Sequence, residues 1–259
     1  MKINQKKRLG VLISGNGTNL QNIIESCRAG GIDGEVVCVG SDKHDAYGLK
    51  RADNAGIPTF VLAYNELQNL HRTSPGRIGL HIPPDFNLLD MIQKTGFKDC
   101  EKKRTMLYIR AATEYKLLNQ LKEFKVDFLV LAGFMKVFTP YFLDRFQPDP
   151  FKPRILNIHP ALLPAFPGTD GYKDAWNYGV TTYGVTVHFV DYGTDTGPII
   201  KQKALTREDN DNFESFKNRG LEAEYALYTR CIQLFIERRL KVKLGPNKER
   251  RIVQILQKK

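Results

Sequence analysis

Asn157 and His159 stand one residue apart in the run Leu156-Asn157-Ile158-His159-Pro160. On an extended strand, side chains two apart point to the same side, so an amide donor and an imidazole are held together. Such a pair can stabilise an oxyanion and shuttle a proton. By itself an Asn-x-His pair reads as a capping amide beside a satisfied core histidine. The segment that follows, Ala161-Leu162-Leu163-Pro164 with Pro167-Gly168 beyond, is an irregular, proline-fixed loop and tips the reading toward function. Farther on, Asp191 to Pro198 (DYGTDTGP) has turn composition. Its Asp195 is suited to pair with His159, orient the ring and keep its pKa elevated. His188 reads as a hydrogen-bonded interior histidine, and His44, His71 and His81 lack neighbours suited to catalysis or metal binding. The turn Ser14-Gly15-Asn16-Gly17-Thr18-Asn19 is the third segment. Its glycines permit a tight bend and close ligand approach, and a helix start there favours an anion. It is neither GxGxxG nor a lysine-closed phosphate loop, so these residues alone weigh evenly between phosphate binding and packing.

The elements that must position these groups follow from hydrophobic patterning. Arg8–Ile13 is an apolar run ending at the glycine turn, and Leu20, Ile23, Ile24 and Cys27 recur at helical spacing: strand, turn, helix. A strand over Glu35–Val39, a helix over Tyr47–Asn54 and a short strand over Pro58–Leu62 complete a βαβαβ opening, which predicts a parallel sheet. From about 65 to 104 the rhythm breaks, with Pro75, Pro83 and Pro84. Only Phe86–Lys94 is weakly helical, so the segment is expected to be a partly ordered surface insertion. Helical spacing resumes at Met106 through Leu121. Then come strand Phe128–Ala132, a helix near Pro140–Arg145, strands over Arg154–Ile158, Val185–Val190 and Pro198–Ala204, and a closing helix Phe213–Arg239. The expected fold is α/β: a Rossmann-like, mostly parallel sheet with helices on both faces, in a single domain over residues 8–243.

The 259 residues are 42% hydrophobic and 26% charged, an ordinary globular composition. A run of about 18 apolar residues is missing, which excludes a membrane-spanning helix by this criterion. The four cysteines, Cys27, Cys38, Cys100 and Cys231, form no CxxC pair, which fits a reducing cytoplasm and no structural metal. The net charge of +11 invites a nucleic-acid reading, but its placement argues against one. Residues 1–8 carry four cations and residues 238–259 carry nine against Glu249 alone, leaving −1 over residues 9–237. The excess is expected in two basic ends, with residues 244–259 a solvated tail.

In order, SGNGTNL (Ser14–Leu20), LAGFMKV (Leu131–Val137), NIHPALLP (Asn157–Pro164), TVHFV (Thr186–Val190) and DTGP (Asp195–Pro198) resemble the phosphoribosylglycinamide formyltransferases, a family within the folate-dependent formyltransferases. The resemblance spans residues 8–62 and about 105–243. It implies that Gly17, Thr18 and Asn19 hold the phosphate of glycinamide ribonucleotide, and that Met135, Lys136, Val137 and Phe138, with Asn157, line the site of the co-substrate 10-formyltetrahydrofolate. It also implies that Asn157 holds the formyl oxygen, His159 donates a proton and Asp195 supports the charged ring. Glu224, in Ala223–Tyr228 (AEYALY), is similar to a family glutamate that contacts the ribonucleotide, though the family's EHxxYP pattern is not kept. A folate-binding arginine falls at Arg110 by gapless counting from Met135, with Arg104 the alternative beside the insertion. Lys136 stands where the family has arginine. No metal is implied.

The activity so implied is formyl transfer to the ribonucleotide amine in de novo purine synthesis, in the cytoplasm, with small-molecule partners and neither membrane nor nucleic acid. The insertion is expected beside the active site or in a subunit contact, which admits a homodimer. A methionyl-tRNA formyltransferase is the competing reading; the length after residue 243 argues against its tRNA-binding domain. A formyltetrahydrofolate hydrolase would be expected to carry a regulatory domain before the first strand, which this sequence does not show. A non-catalytic nucleotide-binding module would leave Asn157, His159 and Asp195 as coincidence. On the small-molecule reading, removal of residues 245–259 leaves activity unchanged.

Overall fold

Phe128–Leu131 has no polar position because, as strand β4, it is covered on both faces. It lies at the centre of a seven-stranded sheet of the computed structural model, which describes residues 6–62, 64–74, 81–96 and 100–258. Parts of the expected insertion, residues 75–80 and 97–99, lie outside that set, as do Lys2 and Lys259. The strands are β1 (Lys7–Ile13), β2 (Gly34–Ser41), β3 (Thr59–Val61), β4, β5 (Ile155–His159), β6 (Thr182–Phe189) and β7 (Ile199–Thr206), in the order β3-β2-β1-β4-β5-β6-β7. Strands β1 to β5 pair in parallel, whereas β6 and β7 run antiparallel to their neighbours. The expected α/β class with a mostly parallel sheet is therefore the observed one.

Each face of the sheet has its own core. Helices α1 (Thr18–Arg28), α2 (Tyr47–Asn54), α7 (Gly171–Tyr178) and α8 (Phe213–Ile236) close one side, around Leu20, Ile23, Phe216 and Tyr228. Helices α5 (Glu101–Glu123) and α6 (Pro140–Phe146) close the other, around Leu117, Leu121, Phe142 and Phe146. A fully buried side chain of this size stabilises by roughly 1.5–3 kcal/mol. The chain leaves β1 toward β2 and later resumes at β4 on its other side, so the sheet order reverses between β1 and β4. Ligands of open α/β sheets gather at the carboxyl ends of strands beside such a reversal.

Three segments differ from the sequence reading. The insertion contributes α4 (Leu88–Thr95), where Phe86–Lys94 reads as weakly helical, but also α3 (Tyr64–Thr73), which was not expected, and α5 starts at Glu101, before the expected Met106. The cause is tertiary: Leu67 packs on Ile109 and Ala112, and Met91 on Leu107, Ala111 and Tyr141. The segment expected as a solvated tail instead forms a hairpin of β8 (Leu240–Leu244) and β9 (Arg251–Ile255), with β9 beside β7. Its Val242 is buried against the first core with Leu240 and Val253, an alternation masked by the surrounding cations. Helix α7 follows the proline-fixed loop and was not among the expected elements.

Candidate active site

Parallel pairing stops at the ends of β1 and β4, and the chain there is tied across the reversal point. Ser14 N–H donates to the Gly133 carbonyl at 3.1 Å, and Met135 N–H donates to Ser14 Oγ at 2.8 Å. The glycine turn and the Met135–Phe138 loop are thus joined by one serine. Gly17 has φ 71°, and a Cβ there would meet Gly48 Cα at 2.6 Å, so only glycine lets the turn close on α2. The N-cap of α1 is Gly17, which has no side chain to cap the first N–H groups, an arrangement that suits an anion there.

Antiparallel pairing of β5 with β6 sets Asn157 opposite His188. His188 Nδ1 lies 2.8 Å from the Phe189 carbonyl, which places its proton there. Its Nε2 then accepts from Asn157 Nδ2 at 3.1 Å, engaging one of the two amide hydrogens. His159, 2% exposed, has Nε2 2.7 Å from the Phe166 carbonyl and so donates there. Its Nδ1 faces Asp195 Oδ2 at 3.5 Å, while Asp195 Oδ1 lies 3.6 Å from His188 Nε2. Gly168 N–H donates to Asp195 Oδ2 at 2.9 Å. One carboxylate therefore faces both rings.

The expected elevation of the His159 pKa is not what results. Burial pushes the imidazole below its ordinary value, outweighing the upward pull of Asp195 and the Phe166 carbonyl. Asp195 goes the other way. Burial is the largest single influence and raises it, but the His188 ring 3.6 Å away, the Gly168 N–H and the nearby His159 together hold the carboxyl below the usual range. The resting pair is a neutral ring beside an ionised carboxylate.

At the other end, Glu224 of α8 is 5% exposed; its Oε2 accepts from Asn19 Nδ2 at 2.6 Å and its Oε1 from the Tyr172 hydroxyl at 2.5 Å. Burial nevertheless raises this carboxyl. Asn19 Oδ1 is buried with no hydrogen-bond partner among the described residues, an acceptor turned to whatever fills the site.

One cavity of about 290 Å³ joins both ends. Its lining includes Asn19, Met135, Lys136, Val137, Phe138, Asn157, His159, Asp195 and Glu224. Nine of the sequence-derived candidates are thus brought together. Gly17 and Thr18, the residues just before Asn19 in the chain, are not part of this lining. Arg110 lies on α5 outside this lining, but its Nη1 donates to the Val137 carbonyl at 3.3 Å, which sets it against the loop. Lys136 bridges to buried Asp42 at 3.5 Å. His188 is the hydrogen-bonded interior histidine the sequence suggests, and its place in the site comes from the β5–β6 register. Tyr172 was not anticipated, since no local pattern marks it.

An α/β group-transfer enzyme is the class that this arrangement defines. The chain belongs to the formyl transferase family, whose model matches residues 7–232. It is 36% identical over 237 residues to the phosphoribosylglycinamide formyltransferase of Haemophilus influenzae, covering 92% of this chain and 91% of that one. With the Escherichia coli enzyme of the same name the identity is 32%, over 90% of this chain and 88% of the relative. The crystal structure of glycinamide ribonucleotide transformylase 1 from Symbiobacterium toebii superposes with a TM-score of 0.71 at 36% identity, over 97% and 95% of the two chains.

Proposed function

We propose that residues 8–243 form one catalytic domain that transfers a formyl group from 10-formyltetrahydrofolate to the amine of 5-phosphoribosylglycinamide, in de novo purine synthesis. The observation that carries this reading is the single cavity shared by Asn157, His159, Asp195, Asn19 and Glu224. The residues present suit both substrates. Leu131, Phe134, Val137 and Phe138 offer an apolar wall to a flat ring system, and buried Asn19 Oδ1 offers an acceptor to the ribonucleotide. Arg110, outside the lining but bonded to the Val137 carbonyl, is the cation proposed for the folate carboxylates. Gly17, Thr18 and Asn19 cradle the phosphate at the start of α1.

The folate supplies the formyl carbon, bonded to its N10. Asn157 keeps its second Nδ2 hydrogen for the formyl oxygen as negative charge builds there, a donor worth roughly 2.7–4 kcal/mol in the transition state. His159 Nε2 is committed to Phe166, so Nδ1 is the atom that carries the proton given to the leaving nitrogen. With Nδ1 protonated, the ring donates to the Phe166 carbonyl and faces the Asp195 carboxylate, so the site accommodates the cation that burial otherwise opposes. The resting ring is neutral, so the attacking amine supplies that proton: it passes through Asp195 to Nδ1, which gives it to N10 as the bond from the formyl carbon to N10 breaks. No covalent bond to the protein is needed.

None of the helices among the described residues is long and apolar enough to cross a membrane. Two finer statements belong to this proposal. A cytoplasmic location is supported by four cysteines that are all free thiols. A homodimer through the insertion helices would be read by sedimentation velocity at assay concentration. The deciding experiment for the activity follows tetrahydrofolate formation by ultraviolet absorbance with glycinamide ribonucleotide or initiator methionyl-tRNA as acceptor. Turnover with the ribonucleotide alone is expected; turnover with the tRNA alone overturns the proposal.

A further inference from the structure

The loop that carries Asp195 is gripped from outside the cavity. Within it, Asp191 Oδ1 accepts from the Thr196 hydroxyl at 2.7 Å and from Gly193 N–H at 3.3 Å, and Phe189 N–H donates to the Pro198 carbonyl at 3.0 Å. These bonds close the turn and leave Asp191 Oδ2 facing out of it. That oxygen receives Arg251 Nη2 of β9 at 3.2 Å, and Arg251 Nη1 donates to the Pro150 carbonyl at 2.7 Å. The pair is mostly shielded, with side chains 25% and 19% exposed, so water screens it less than an open surface bridge. Arg251 itself stands on a hairpin fixed by buried Val242 and by the Leu256 N–H bond to the Arg239 carbonyl at 2.8 Å. On the other side of the loop, the Tyr192 hydroxyl donates to Asp144 of α6, and Asp144 accepts from Lys94 of the insertion helix α4 at 2.7 Å.

We infer that Arg251 is a positioning residue for formyl transfer, acting through Asp191 to hold the Asp195 carboxylate against His159. This rests on the proposed role of Asp195. Asp195 has φ 55°, a left-handed conformation that Asp tolerates but that costs free energy, so the loop needs outside restraint to keep it. The arrangement also explains why this basic segment folds as a hairpin against β7 and does not remain a solvated end. The expectation that residues 245–259 are dispensable is accordingly reversed, because their removal takes Arg251 with them. The Tyr192–Asp144–Lys94 chain limits the loss, so a partial effect is expected and not an inactive enzyme.

The test uses the full chain with Arg251→Ala, Arg251→Lys and, as a control for charge on the same hairpin, the exposed Lys241→Ala. For Arg251→Ala, kcat is expected to fall about tenfold, with KM for the ribonucleotide within twofold. The imidazole resonances of His159, followed by NMR against pH, are expected to titrate lower than in the wild type, because a withdrawn Asp195 no longer supports the cation. Arg251→Lys restores part of both, and Lys241→Ala changes neither. Asp191→Asn breaks the contact from the loop side and is expected to move the same two readouts in the same direction, which covers the case of an Arg251 variant that does not fold. Wild-type kcat together with an unchanged His159 titration in Arg251→Ala overturns the inference, as does a loss of kcat with that titration unmoved. If the wild type itself transfers nothing to the ribonucleotide, the functional reading fails, while the titration still decides whether the brace exists.

Discussion

The two ends of the cavity hold their carboxyl groups by opposite balances. Glu224 has two donors, Asn19 and Tyr172, and its carboxyl is still raised, because burial exceeds what they return. Asp195 has a backbone N–H and two imidazoles around it, and its carboxyl is lowered although burial again is the largest single influence. Donors favour the ionised form at both ends, so the difference lies in how far burial is offset: the hydroxyl and amide at Glu224 fall short of it, while the backbone N–H and the two rings around Asp195 exceed it. One end therefore holds a carboxyl between two side-chain donors, and the other sets an ionised carboxylate against an imidazole.

Four substitutions break or sharpen that contrast. The largest effect is expected for His159→Ala, a loss of about 10³ in kcat, within the range typical of general acid–base groups, with ribonucleotide affinity unchanged in calorimetry. Next is Asp195→Asn, which keeps the shape and removes the charge. A loss of about 10² in kcat is expected, and an NMR titration should move His159 further down, since the upward pull of the carboxylate is gone. Glu224→Gln should act on binding, raising KM for the ribonucleotide about tenfold (about 1.4 kcal/mol) with kcat within threefold in steady-state assays.

The fourth effect falls on stability and not on activity, and concerns Glu114, a carboxyl buried on α5 that accepts from the Thr139 N–H at 2.8 Å and from the Thr139 hydroxyl. Burial pushes it up to about 7 from an ordinary 4.5. Between those values the folded state keeps a proton that the unfolded chain releases, so stability should fall as pH rises through this window and stay low above it. The upper bound is roughly 3 kcal/mol. Glu114→Gln should flatten that slope in urea melts at pH 5 and pH 8; equal slopes in both proteins would remove Glu114 as its source.

Much of this site is legible in one chain because its signals are local. Asn157 and His159 share a strand face by period two, the glycine turn sits between an apolar run and a helical pattern, and the loop after His159 is marked by prolines. His188 is not legible in that way, since its partner is set by an antiparallel register that no neighbouring residue announces. Around α3 the prolines dominate the local pattern and the helix is not legible, because Leu67 finds its partners Ile109 and Ala112 more than forty residues away on α5, whereas Met91 lies in the stretch already read as weakly helical. The hairpin is hidden for a related reason: nine cations outweigh the alternation of Leu240, Val242 and Val253. Net charge reports solvation, and here the same arginine that adds to it also closes a contact.

Division of labour along one cavity is the core of the account, and it is tested by measuring two quantities in two variants side by side. Ribonucleotide Kd by calorimetry and the single-turnover rate of formyl transfer are read for His159→Ala and Glu224→Gln. The account predicts a crossed result, with the rate falling in the first at constant Kd and Kd rising in the second at nearly constant rate. Both variants changing both quantities to the same extent would contradict it.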